Sequence, residues 1–420
     1  EEQVEIIENY ILEGLGWPIW KGVMDPSACG RQLHINGGRG KAYSCAVALS
    51  NMAAMNRPRS GVFRHIALQN LQPGLYENEL VGARYYPRSD FGVYRAKDWY
   101  ASARMQSERT IGYEFTNAEN LLAQFSADGT IIMMQSGREY ENIFPYWDWR
   151  MLPGVTAYDD GTPLRTDDSR EDKQNNTGHV GGLSDGGTMV TTMELERHGL
   201  HAFKSDFFFD DIVVSLGSDI RSSRSEISRI TTVVEQNRLV GEPLSGAFRS
   251  GKHGNTEWVW HDGRGYVALE GFPFRVETSL QKGSWANMAP MYTQVDSGRV
   301  FKCWFEHPVD GTSSYAYAML PCRNAAATKA FAKAYASGKT FVKASTGICG
   351  KSSKAVLPQI LRNDDSCQAL SYRGEIYVIV HKTGTYSFDG GRHIFSSPGI
   401  YFCTSGGVVS EPLPSAVGQD

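Results

Sequence analysis

Glu114, Asn117, Glu119 and Asn120 crowd into seven residues. Side chains of these types are poor strand formers, but carboxylates grip cations and amides orient polar substrates. The segment reads either as a solvated loop or as the polar mouth of a site. Upstream, Asp25 to Arg31 forms a turn that carries a lone arginine into Gln32, Leu33 and His34, with Arg39 close behind. Downstream, Tyr146, Trp147 and Trp149 supply rings suited to core packing or to stacking on sugars. Asp148, Asp159 and Asp160 flank a Pro-Gly turn in the same region.

Other chemistries find less support. The histidines lack H-E-x-x-H spacing, and the seven cysteines lack C-x-x-C spacing, so neither a zinc site nor a redox motif is indicated. Gly37, Gly38 and Gly40 precede a helix, but the Walker pattern is absent and no strand comes before them. A net charge of -4 and a pI near 6.2 argue against nucleic acid or an anionic membrane as the main partner. Local arginines still leave room for an acidic polymer. No run of about 18 apolar residues occurs, so no membrane span is expected. The sequence opens on Glu1 without a signal-like stretch, and a processed or truncated chain is expected.

The elements that must position these residues are mostly strands. Val4, Ile7, Ile11 and Leu15 recur at helical spacing, and a second helix is expected over Ala42 to Met55. After Arg57-Pro58, short alternating runs bounded by Gly, Pro, Asn and Asp continue almost to the C-terminus, the pattern of antiparallel sandwiches. One helical interruption, Ala325 to Ala336, reads as a hinge. The expected architecture is mainly β: helices over residues 1–57, a large antiparallel β-sandwich over 58–324, and a hinge helix with a small β domain over 325–420. Two helices with apolar faces need something to bury them, and residues 1–57 supply no partner set of their own.

Six segments resemble, in order, the motifs of polysaccharide lyase family 8, the chondroitin, hyaluronate and xanthan lyases. Trp147-Asp-Trp149 followed by Pro153-Gly-Val-Thr156 resembles its Trp-x-Trp-x-x-x-Pro-Gly-x-Thr signature. Asp25 to Arg31 resembles its D-x-x-x-x-G-R segment, and Tyr113 to Asn120 its Y-E-x-x-N-x-E-N segment. Gly181 to Asp185, Lys204 to Phe209 with Leu216-Gly217, and Tyr315 to Pro321 resemble later ones.

The resemblance implies an α/α toroid whose last helices are residues 1–57, followed by the two β domains. It implies a secreted or periplasmic enzyme that cleaves uronic-acid polysaccharides by β-elimination. No cofactor is required. The family's catalytic Tyr and His would lie upstream, in a toroid belonging to the same precursor. In this chain the resemblance implies Arg31 and Glu114 as a catalytic pair, and Asn117 as a substrate-side amide. A second family arginine is replaced by Ile35, so His34 and Arg39 become candidates for its charge. Trp147 and Trp149 become candidates for sugar stacking. Asp148, Asp159 and Asp160 suggest a structural calcium, with Arg150 as the alternative neutralising charge. Two other readings stay open: a carbohydrate-binding β-sandwich without chemistry, and a lyase of another uronate polymer such as xanthan or alginate.

Overall fold

The computed structural model describes residues 2–76, 78, 80–164, 173–246, 254–339, 341–343, 354–388, 390–414 and 416. Three helices open the chain: α1 (Glu2–Tyr10), continued by a π-helical turn over Ile11–Leu15, α2 (Gly37–Ala54) and α3 (Ser60–Leu71). The third lies where the strand pattern was expected to begin. Its buried face, Phe63, Ile66 and Ala67, is short and sits directly behind Pro58, which makes its helical period easy to miss. The expected apolar face of α1 divides: Ile11 is buried, whereas Ile7 is exposed. Glu8 is the buried residue of α1, and it accepts from Arg57 Nε at 2.7 Å.

The rest is β structure, as the alternating runs imply. A four-stranded antiparallel meander (Gly82–Tyr86, Phe91–Arg95, Tyr100–Arg104, Thr130–Met134) packs beside the helices. Trp20, Leu49 and Phe63 share a continuous apolar core with its Val93, Tyr94 and Ile131.

An eight-stranded sheet is the middle layer of the molecule. Its order runs from Leu244–Ser245 through Trp258–His261, Arg264–Glu270, Ser313–Leu320, Ile212–Ser222, Leu200–Phe209 and Met189–Arg197 to Val180–Ser184. Neighbouring residues on a strand face opposite sides, so Phe208 and Val213 enter one core while Phe207, Phe209 and Val214 enter another. The first core is shared with a five-stranded sheet (Gly254–Thr256, Phe274–Ser284, Val295–His307, Arg229–Arg238, Thr156–Asp159), which contributes Phe301, Cys303 and Phe305. The second is shared with α4 (Ala325–Ala336) and with the C-terminal five-stranded sheet, including Leu370, Tyr377 and Phe402. A sheet covered on both faces needs continuous apolar runs, which accounts for the sequence from Phe207 to Leu216.

Candidate functional site

Arg31 is delivered by a short capped turn. Asp25 is fully buried, accepts from Ser27 N at 2.7 Å as the cap of a single 3-10 turn over Pro26–Ala28, and accepts from Tyr100 OH at 2.6 Å. Burial raises the pKa of Asp25 while these donors oppose the shift. Arg104, from the meander, donates to Ser27 O at 2.7 Å and to Gly112 O at 3.1 Å, tying this turn to the segment that carries Glu114. Gly30 follows with φ +59, and a Cβ there would lie 2.8 Å from Glu114 Oε2. The Gly of the motif therefore has a backbone reason: glycine adopts this left-handed turn without strain.

The other half is the segment expected to be polar. Arg31 Nη1 donates to Glu114 Oε1, and Arg31 Nε donates to Glu119 Oε2 at 2.6 Å. The backbone N–H of Arg31 also reaches Glu114 Oε2, at 3.4 Å. The Glu119 hydrogen bond is the leading influence raising the Arg31 guanidinium, with Glu114 adding to it against partial desolvation. Thus the pairing of Arg31 with Glu114 is present, and a second carboxylate, not anticipated as a partner, joins it. Glu119 stood in the same crowded segment; the turn that aims it could not be read from spacing.

Asn117 lies exposed at the crest of that turn with φ +57. His34 Nε2 lies 3.8 Å from Glu119 Oε1, and the His34 ring meets Tyr292 edge-on with centroids 5.7 Å apart. Tyr292 has no motif to announce it. Arg39 turns elsewhere, donating from Nε to Glu141 at 2.6 Å and so tying the first turn of α2 to the loop before the aromatic signature. Asn36 and Asn142 exchange hydrogen bonds of 2.8 Å across the same junction.

The aromatic signature proves to be scaffold, which corrects the stacking expectation for Trp147 and Trp149. Both rings are buried, and their Nε1 groups donate to Gln236 O at 3.1 Å and Phe144 O at 3.0 Å. With Gly30, Tyr113 and Glu114 they line a cavity of about 40 Å³. Gly154, with φ +79, lies so close to the meander that a Cβ would meet Gly129 O at 2.5 Å. Lys204 locks this contact by donating to Asp128 O and Gly154 O, each at 2.6 Å.

Asp148, Asp159 and Asp160 do not converge: Asp160 pairs with Arg224 at 2.8 Å, Asp159 lies 3.9 Å from Arg229, and Asp148 lies 3.9 Å from Lys302. Calcium takes six to eight oxygens, and among the described residues no group of three metal-ligating side chains is assembled. Arg150 is not the neutralising charge either; it donates to the carbonyls of Tyr158 and Thr162.

A profile of the polysaccharide lyase family 8 super-sandwich domain matches residues 81–332. The chain belongs to polysaccharide lyase family 8. It is 36% identical over 231 residues to the chondroitinase AC of Pedobacter heparinus, covering 52% of this chain and 32% of that protein. It is 25% identical over 267 residues to the hyaluronate lyase HylB of Cutibacterium acnes, covering 59% and 32%. The matches thus span about a third of the length of these curated relatives. Among solved structures, chondroitinase AC lyase, determined with oligosaccharides, superposes with a TM-score of 0.81 at 24% identity, covering 96% of this chain and 58% of that one. A Paenibacillus xanthan lyase superposes at 0.74 with 19% identity, covering 92% and 40%. These superpositions establish a shared fold for this family 8 chain.

Proposed function

We propose that this chain forms the β-domain side of the cleft of a lyase acting on uronic-acid glycosaminoglycans of the chondroitin sulfate or hyaluronan type. The observation that carries the reading is Arg31, held from two sides by carboxylates at the edge of the β region. In β-elimination, C5 of the uronate loses its proton and the 4-linked oxygen leaves as the double bond forms between C4 and C5. Charge builds on the uronate carboxylate, and a preorganised cation beside it lowers the barrier. Arg31 is suited to favour the phenolate of a tyrosine base and to donate to the leaving oxygen. That tyrosine and a histidine are expected on toroid helices of the precursor, outside this chain. Asn117 would be a substrate-side amide beside this pair.

The division into residues 1–57, 58–324 and 325–420 belongs to the same reading. Support for a further helical layer comes from Ile6, Ile7, Tyr10, Tyr43 and Val47, apolar side chains of α1 and α2 that are exposed in this chain. A soluble helix covers such a face. No described helix is long and apolar enough to cross a membrane, and a secreted or periplasmic enzyme meeting an external acidic polymer is the setting proposed.

The test is the ultraviolet absorbance of unsaturated uronate when the intact precursor meets chondroitin sulfate or hyaluronan. The expected result is product formation that Arg31→Ala abolishes. Binding without absorbance would replace this reading with that of a carbohydrate-binding module, and turnover only on xanthan or alginate would move the substrate class. The 420-residue chain alone is expected to give little or no product; robust turnover by it would overturn the placement of the base upstream.

A further inference from the structure

The two carboxylates that hold Arg31 are unequal. The Glu119 side chain is only 10% exposed and accepts from Nε, whereas that of Glu114 is 52% exposed and accepts from Nη1. The Nε edge lies nearest the aliphatic stem, so a carboxylate there fixes the plane of the fork. The Nη1 end is the part that reaches outward.

The backbone is bent to place Glu119. Asn117, Ala118 and Asn120 have φ values of 57, 56 and 61. For alanine this conformation is strained, and such strain gathers where side chains must be aimed. The turn is pinned from outside: Asn120 N donates to Met288 O at 3.0 Å and Leu121 N to Asn287 O at 2.8 Å. The loop that pins it also carries Tyr292, which abuts His34. His34 Nε2 is itself buried without a hydrogen-bond partner, facing the second oxygen of Glu119.

We propose that Glu119 is the positioning residue of this site, holding the plane of Arg31, while Glu114 is an exchangeable arm that releases Nη1 to an oxygen of the acidic sugar. The step is a hydrogen-bond exchange: Nη1–H leaves Glu114 Oε1 and donates to the substrate, and no covalent bond changes. What Nη1 meets rests on the lyase reading, but the unequal grip is a property of the chain alone.

Two measurements separate these layers. The first follows solvent exchange of the Arg31 Nε–H by NMR in this chain, in wild type, E119Q, E119D and E114Q. E119Q is expected to speed exchange by roughly tenfold, E119D by less, and E114Q by less than about twofold, since charge-assisted bonds are the strong ones. Equal acceleration in E119Q and E114Q overturns the assignment, and so does the reverse order. Backbone amide resonances far from the turn monitor folding, and E119D retains the test if E119Q unfolds. The second measures the intact lyase, where E119Q is expected to lower kcat with KM within about twofold and E114Q to act mainly on KM. Identical kinetic profiles would also overturn the division of roles. If the wild-type precursor eliminates nothing, the lyase reading fails while the exchange result stands or falls by itself.

Discussion

Arg264 and Arg31 both sit among carboxylates, and their surroundings give them opposite tasks. Arg264 is fully buried, with Glu235 at 3.6 Å and Asp262 at 3.5 Å. Tyr140 and Tyr266 donate to the two oxygens of Glu235 at 2.9 Å and 3.0 Å, and Arg264 donates to Met133 O at 3.1 Å. Burial pushes the Glu235 carboxyl up, with Arg264 and the two tyrosines opposing the shift. Arg264 Nε has no hydrogen-bond partner there, but it is sealed inside the sandwich away from solvent. Arg31, with a side chain 24% exposed, keeps one end on an exposed carboxylate beside an unpartnered histidine nitrogen. The same residue types make a strut in one place and a receptive site in the other, and the difference is solvent access.

Breaking the strut should have the largest effect. Glu235→Ala removes one of the carboxylates that face buried Arg264 and the acceptor of both tyrosines, and is expected to cost about 3–5 kcal/mol in urea unfolding. Next comes the aromatic signature: Trp149→Ala is expected to cost about 3 kcal/mol or more, and Trp149→Phe much less. Loss of oligosaccharide affinity at unchanged stability would instead restore a stacking role for this ring.

Asp206 sharpens the comparison by pH. It lies buried on the middle sheet, opposite Thr191 and Ser215, and burial raises its pKa from 3.8 to about 6. Because the folded value is the higher one, the fold binds the extra proton. Stability from this group is therefore full below about pH 4 and lost as pH rises through about 6, amounting to ~3 kcal/mol at most. Asp206→Asn is expected to raise the unfolding midpoint at pH 7.5 and to change it little at pH 4, as read by urea titration at both pH values.

The smallest stability effect belongs to the site. Arg31→Ala is expected to leave the urea midpoint close to wild type while abolishing elimination by the intact precursor, since partly exposed ion pairs contribute little to folding. A large stability loss would move Arg31 into the class of Arg264.

Much of the fold was legible because period and punctuation are local properties. The runs around Thr130, Ile212 and Tyr315 became strands, and α4 spans Ala325–Ala336 as its spacing implied. The failures have physical causes. Helix α3 presents only a short buried face behind a proline. The tryptophans of the signature looked suited to sugar, but aromatic rings serve cores and ligands alike, and only burial separates the two. Asp159 and Asp160 looked like metal ligands because sequence spacing does not reveal that arginines approach them, Arg224 from a loop and Arg229 from another strand.

The sequence by itself determined the family, the alternation that builds a sheet covered on both faces, and the residue types gathered around Arg31 and Glu114. Tertiary structure decided the assembly. Arg31 and Glu119 are 88 residues apart in the chain, and what brings them within 2.6 Å is a glycine in a left-handed conformation, a capped turn braced by Tyr100 and Arg104, and a left-handed turn pinned by a distant loop. Local propensities fix neither a contact between such distant segments nor the solvent access that separates a site from a strut.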